Sequence, residues 1–372
     1  MARLFLLLFL FIGIADLYAQ NPQTRFKRCK SAPWTVPRRT EGPQSRGCVV
    51  IFQQPIVDSI LIRELDTKLV DRRYLVYVPD NLPKEPVPVV FVFPGKGVNA
   101  EIMAYNETHT RFEALADRDH FIVVYGNGIP SPSEPWEGPP IPYGGFLQGC
   151  FLDHSLEGVD VTYVRLILDQ LASQYAIDRK RIYATGESAG GGMSFQLAIE
   201  APDLVAAVAP EVPLPFQPSG QWLFSCKTSK DLGKVSILML AATNDPFISY
   251  RVGSSERYPG AHYPGMEETR DAWLRAMSIQ GKAKVDTFPD IILGDSYEPA
   301  THLQSSFVER SCFPLGPLGQ EFCYLKAVGM GHRWPNPHQT PESLWDKFGK
   351  TNQDFDFADV AWEFFKRHPR VE

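Results

Sequence analysis

The chain has no excess of positive charge: 37 Lys and Arg stand against 43 Asp and Glu, a formal net charge of −6. A nucleic-acid-binding domain usually carries a basic footprint, so this composition excludes that class of partner. None of the cysteines is spaced as C-x-x-C, so neither a zinc ribbon nor a thioredoxin-like redox motif is present, and no metal or cofactor is expected. Internal repeats are missing, and no Pro- or Ser-rich linker divides the body, so one large domain is expected. Long apolar runs are scarce. The longest, Leu4 to Ile14, is short of the roughly 20 residues of a membrane span.

That run nevertheless carries information, because Arg3 precedes it and small or polar residues around Ala19 come after it. This is the pattern of a secretory signal peptide over residues 1–19, with cleavage after Ala19, a secreted extracellular product and no stable membrane anchor. In such a setting six cysteines read as disulfides, for which 15 connectivities exist. Short loops favour Cys29 with Cys48 and Cys312 with Cys323, leaving Cys150 with Cys226. Residues 20–55 form a basic, Pro-rich arm, and residues 56–372 a catalytic domain.

Within that domain, runs of strand and helix alternate. Ile56 to Leu65 and Tyr74 to Pro79 alternate apolar and polar residues as a half-buried hairpin does. Val87 to Phe93 (VPVVFVF) is apolar throughout, as in a strand covered on both faces, and is ended by Pro94-Gly95-Lys96-Gly97. A helix is expected over Ala100 to Asp119, a strand over Phe121 to Tyr125, and a helix over Val159 to Tyr175 that places Val161, Val164, Leu168 and Leu171 on one face. Strands are expected at Leu204 to Val208, Val235 to Ala242, Lys284 to Phe288 and Phe322 to Val328. Helices are expected at Met266 to Ile279 and Phe355 to His368. Alternation of this kind gives an α/β class protein, a mostly parallel sheet with helices on both faces, in the outline of an α/β-hydrolase.

Organising the whole is Arg181 to Glu200, RIYATGESAGGGMSFQLAIE: a buried strand, the turn GESAG and a helix. This is the context a G-x-S-x-G nucleophile elbow demands, with Ser188 projected from a sharp bend that Gly186 and Gly190 permit. A serine hydroxyl needs a histidine base and a carboxylate that orients it, and in this fold the acid precedes the histidine. Asp245 lies just past the carboxyl end of the apolar strand Val235 to Ala242, and His332 sits in GMGHRWP just past the strand ending at Val328. Two backbone donors complete the site as an oxyanion hole: the amide of Ala189, after the nucleophile, and that of Lys96, in the PGKG turn.

The segment VDVTYVRLILDQLASQYAIDRKRIYATGESAGGGMSFQLA, with TNDPFISY and GMGHRWP behind it, resembles the secreted esterases related to polyhydroxybutyrate depolymerases and feruloyl esterases. The resemblance covers roughly residues 70 to 340. It implies the same nucleophile, acid and base, Ser188, Asp245 and His332. Two positions depart from the family: Pro94 stands where a histidine usually precedes the oxyanion glycine, and Val159 where the first of two aspartates usually begins the helix before the elbow.

The resemblance further implies a serine carboxylesterase acting on a small-molecule or oligosaccharide ester, with feruloyl and acetyl esters of plant polysaccharides expected. The other readings are a depolymerase of short polyhydroxyalkanoates, a serine peptidase, or a non-catalytic binding protein on the same fold. No polymer-binding domain is expected, which disfavours solid polyester. Trp136 and Tyr143, in the long Pro- and Gly-rich segment, and Trp334, beside the histidine, are candidates to stack on a planar acyl group or a sugar. Asn106 begins an Asn-Glu-Thr glycosylation pattern.

Overall fold

The computed structural model describes residues 34–36, 46–55, 69–128, 159–214, 233–260, 263–292, 306–338 and 341–370. The leader over 1–19, together with Cys29, Cys150, Cys226, Trp136 and Tyr143, lies outside the described residues, and of Cys48 only the backbone is described.

The described strands form an eleven-stranded sheet. In chain order they are β1 (Trp34–Val36), β2 (Arg46–Pro55), β3 (Leu69–Val78), β4 (Val87–Phe93), β5 (Ile122–Gly126), β6 (Ile177–Glu187), β7 (Ala207–Glu211), β8 (Ser236–Ala242), β9 (Lys284–Thr287), β10 (Phe307–Cys312) and β11 (Phe322–Val328). Their spatial order is β1-β2-β3-β5-β4-β6-β7-β8-β11-β10-β9. From β5 through β4, β6, β7 and β8 to β11 all pairs are parallel, while β1, β2 and β3 at one edge and β9 and β10 at the other are antiparallel.

The all-apolar sequence of β4 is explained by its central place. Val89, Phe91 and Phe93 enter one hydrophobic cluster and Val90 and Val92 the other, because successive side chains point to opposite faces. On the first face pack α2 (Val159–Ala172), α3 (Ala189–Glu200) and α4 (Met266–Ala276), and on the second α1 (Arg111–Asp119) and α5 (Phe357–Lys366). Helix α3 is buried from Ala189 to Ile199, which is why GGGMSFQLAI has no polar stripe. The expected inward residues of α2, Val161, Val164, Leu168 and Leu171, are all buried.

Four expectations are corrected. The strand preceding β3 is Arg46–Pro55, the end of the stretch read as an arm; it pairs with Leu69–Val78, and the expected strand at 56–65 lies outside the described residues. The single helix over Ala100 to Asp119 is three pieces: a turn of α-helix at Ala100–Ile102, a π-helical turn at Met103–Glu107, and α1. Between them Thr108 turns its hydroxyl back onto the carbonyls of Met103 and Ala104, and His109 and Thr110 take positive φ, so the ladder is interrupted. The strand set at Leu204 to Val208 begins at Ala207 and runs to Glu211. Leu204 instead closes a turn onto the Ala201 carbonyl and packs its side chain in the core. β10 has no counterpart among the expected strands. Its FVERSC carries two charges among six residues because Arg310 pairs across the sheet with Asp286 and Glu309 with Lys326, so polar side chains face outward near an edge.

Cys312 and Cys323 are directly opposite in the β10–β11 ladder and their sulfurs are bonded, in keeping with their short separation. Among the described residues, no helix is long and apolar enough to cross a membrane.

Candidate active site

The elbow stands at the end of β6, between β4 and β7. Ser188 adopts φ 55° and ψ −114°, the strained conformation that points a nucleophile away from both strand and helix. It is over-determined by the backbone: the Ser188 amide donates to the Glu211 carbonyl at 3.0 Å, and the Ser188 carbonyl accepts from Gly192 at 2.9 Å and Leu214 at 3.1 Å. The glycine at 190 is imposed by crowding, since a Cβ there would lie 2.0 Å from the Phe93 carbonyl oxygen. The end of β4 therefore passes directly over the start of α3.

Past Phe93, the PGKG stretch closes a turn through Val98 N–H onto the Gly95 carbonyl at 3.1 Å, with Gly97 at φ 78° in the position that a type II turn reserves for glycine. A Cβ on Gly95 would meet the Ser188 Cβ at 3.4 Å, so the turn lies against Ser188. The Lys96 side chain is exposed. Ala189 opens α3, where N–H groups have no acceptor within the helix.

Asp245 and His332, the expected acid and base, come from the exits of neighbouring strands. β8 and β11 are parallel partners, and their exits are stitched together: Thr243 N–H donates to the Ala327 carbonyl at 3.0 Å, Asn244 N–H to the Met330 carbonyl at 3.0 Å, and Gly329 N–H to Thr243 Oγ1 at 2.9 Å. This brings Asp245 Oδ2 to 2.6 Å from His332 Nδ1. The other carboxylate oxygen, Oδ1, accepts from the amides of Phe247 and Ile248 at 2.7 and 2.8 Å, so the acid is clamped in place. Both side chains are buried, 6% exposed for His332 and 2% for Asp245, and the pair is therefore sheltered from screening. Burial works to lower the imidazolium's pKa, but the Asp245 charge and hydrogen bond outweigh it and hold His332 above its ordinary value.

His332 is also gripped through its backbone. Its amide donates to the Phe348 carbonyl at 2.6 Å and that of Gly331 to the Lys350 carbonyl at 2.8 Å. A Cβ on Gly331 would stand 2.3 Å from the same Phe348 oxygen, which accounts for GMGH. Arg333 ion-pairs with Glu107 at 3.2 Å, and Asn336 Nδ2 donates to the Glu107 carbonyl at 3.1 Å, tying this loop to the π-helical turn.

Trp334 does not face substrate. It is 1% exposed, edge-on to Phe112 and Phe357 in the core. The aromatic ring that does flank the histidine is Phe247, at 5.0 Å, stacked in turn on Phe348. Sequence reasoning misses it although it stands two residues after Asp245. It also misses Glu187, Glu211, Glu107 and Arg333, a buried charged group around the elbow for which only the E of GESAG is a signal. Asn106 is exposed on the π-helical turn. Of the other histidines, His368 caps α5 through the Phe364 carbonyl and pairs with Glu321, and His338 stacks on His109.

No family model matches the chain. It is 28% identical to the protein named "Putative esterase NocK" from Nocardia uniformis subsp. tsuyamanensis, over 90% of this chain and 93% of that one. It is 30% identical over 176 residues to the bifunctional acetylxylan esterase/xylanase XynS20E of Neocallimastix patriciarum, and 29% identical over 133 residues to feruloyl esterase B of Piromyces equi. The matches cover 47% and 34% of this chain but only 22% and 24% of those two larger proteins. With β8 and β11 delivering an aspartate and a histidine on the same side of the sheet as a strand-turn-helix elbow, the described residues have the architecture of an α/β-hydrolase fold, and the chain is similar to proteins that carry esterase names.

Proposed function

We propose that the protein is a secreted serine carboxylesterase that works through an acyl-enzyme on Ser188, with His332 as base and Asp245 as its orienting acid. The observation that carries this reading is the buried 2.6 Å contact between His332 Nδ1 and Asp245 Oδ2, supplied by β8, which borders the elbow strand's neighbour β7, and by β11 on the far side of β8. A carboxylate on Nδ1 holds that proton in place and leaves Nε2 with its lone pair. Nε2 takes the Ser188 proton as Oγ attacks the ester carbonyl, and the amides of Ala189 and Lys96 receive the oxyanion. Collapse expels the alcohol, protonated by the imidazolium. Water, deprotonated by the same nitrogen, then releases the acid and restores Ser188.

As substrate we take a feruloyl or acetyl ester of a plant polysaccharide, the chemistry named in two of the relatives. Phe247, beside His332, is the described aromatic placed to pack on an acyl group. The apolar run at 4–14 and the even set of cysteines support an extracellular location. The test is kcat/KM on methyl ferulate, an acetylated xylo-oligosaccharide, a 3-hydroxybutyrate oligomer and a peptide amide, with Ser188→Ala as blank. A hydroxybutyrate preference above about tenfold, roughly 1.4 kcal/mol in transition-state binding, would replace this substrate class with the polyester one.

A further inference from the structure

Behind the nucleophile stands a pair of acids to which the mechanism gives no part. Glu187 immediately precedes Ser188, and its register partner on the neighbouring parallel strand is Glu211. Side chains in register on adjacent strands share a face, with strands about 4.8 Å apart. Alternation from Tyr183 and from Ala207, both in the cluster under α1 and α5, puts both carboxyl groups on that side of the sheet. Glu187 is 5% exposed and Glu211 fully buried.

Among the described residues, no donor reaches Glu187 Oε2 or either Glu211 carboxylate oxygen. The groups facing them are two further acids, Glu107 and Asp245, and two nitrogen bases, His332 and Arg333. Neither base is free to neutralise them, because His332 is held by Asp245 and Arg333 by Glu107. Lys96, on the oxyanion turn itself, is exposed. Two ionised carboxylates side by side and buried, with three of their four oxygens lacking a donor, are far less stable than a pair that keeps a proton, which one group can donate to the other. Burial pushes Glu187 to about 8, with the charge of Glu107 adding to it, and raises Glu211 well above its ordinary range.

The pair lies close to the reaction. Glu187 Oε2 is 3.9 Å from where a Cβ on Gly95 would stand, in the turn that carries the Lys96 amide, and Glu211 holds the Ser188 amide through its carbonyl. We propose that Glu187 and Glu211 keep at least one proton between them at neutral pH, and that its release in alkaline solution slows acylation by placing negative charge behind the oxyanion site. The second half rests on the esterase reading; the first does not. These are positioning residues: they act on the field in which Ser188 and the oxyanion amides work.

Two measurements on the full chain test it. Profiles of kcat/KM against pH for 4-nitrophenyl acetate should show an alkaline fall in the parent. In E187Q and E211Q, whose amides stay neutral, that fall should move upward by a pH unit or more. Infrared spectra at pH 7 should show a neutral-carboxyl band that vanishes toward alkaline pH and is weakened in both variants. An unchanged alkaline limb in both variants would overturn the effect on acylation. A parent spectrum without that band at pH 7 would overturn the shared proton, whether or not either variant folds. Failure of Ser188 to react with a fluorophosphonate would defeat the esterase reading and leave the infrared test standing.

Discussion

Replacing Gly190 by alanine puts a methyl group where the structure has backbone. Its carbon would lie 2.0 Å from the Phe93 carbonyl oxygen, 2.5 Å from the Phe93 carbonyl carbon and 2.8 Å from the Pro94 carbonyl oxygen. None of these is the end of a flexible side chain, so relief requires β4 and α3 to separate by about 1 Å at a packed junction. Overpacking of that kind costs about 1–3 kcal/mol, and this contact belongs at the upper end because both partners are main chain. Function should suffer more than stability, because the strand that must move continues into the oxyanion turn. A misplacement of about 1 Å lowers a rate roughly 100-fold. Gly95→Ala is the control, since its Cβ would meet Ser188 Cβ at an ordinary 3.4 Å. Urea midpoints and kcat on 4-nitrophenyl acetate read both effects. Gly190→Ala with the parent's midpoint and kcat would refute the idea that crowding dictates the elbow.

Ser188→Ala and His332→Ala should each lower kcat by about 10³ or more, since the triad works as a unit. Asp245→Asn should be severe but milder. By removing the charge that raises His332, it should also move the acidic limb of the kcat/KM profile to lower pH, because the base is active only when neutral. For stability the sign runs the other way with the buried acids: a carboxyl held protonated in the fold loses stability as pH rises from its ordinary value of 4.5 toward the folded value of about 8 for Glu187. The decline in chemical-denaturation stability across that window should therefore be flatter in Glu187→Gln than in the parent. Breaking the Cys312–Cys323 bond by a double alanine replacement should cost about 2–3 kcal/mol, the scale for a short closed loop. Peptide mapping before and after reduction checks the bond itself.

The parallel core was legible because its strands are covered on both faces and so read as unbroken apolar runs. β4 and β8 needed no other signal. The elbow was legible because glycine spacing records main-chain crowding, and Asp245 and His332 because each comes closely after a buried strand. What escaped depended on contacts distant in sequence. β10 is polar since its charges are answered on β9 and β11. The break at Met103 to Thr110 arises from a threonine hydroxyl and two positive φ values that no apolar period reports. Trp334 was a candidate to stack on substrate because it adjoins the histidine, yet Phe112 and Phe357, 222 residues before it and 23 after, enclose it. Glu211 gave no sequence signal because its burial comes from pairing with β6 and β8.

The central claim is that Ser188 is a nucleophile activated by His332. Intact-mass and peptide analysis after treatment with a fluorophosphonate tests it directly. The expected result is a single adduct on Ser188 in the parent, none in Ser188→Ala, and labelling slowed by orders of magnitude in His332→Ala. A parent protein that stays unlabelled, or carries its adduct on another residue, would contradict it.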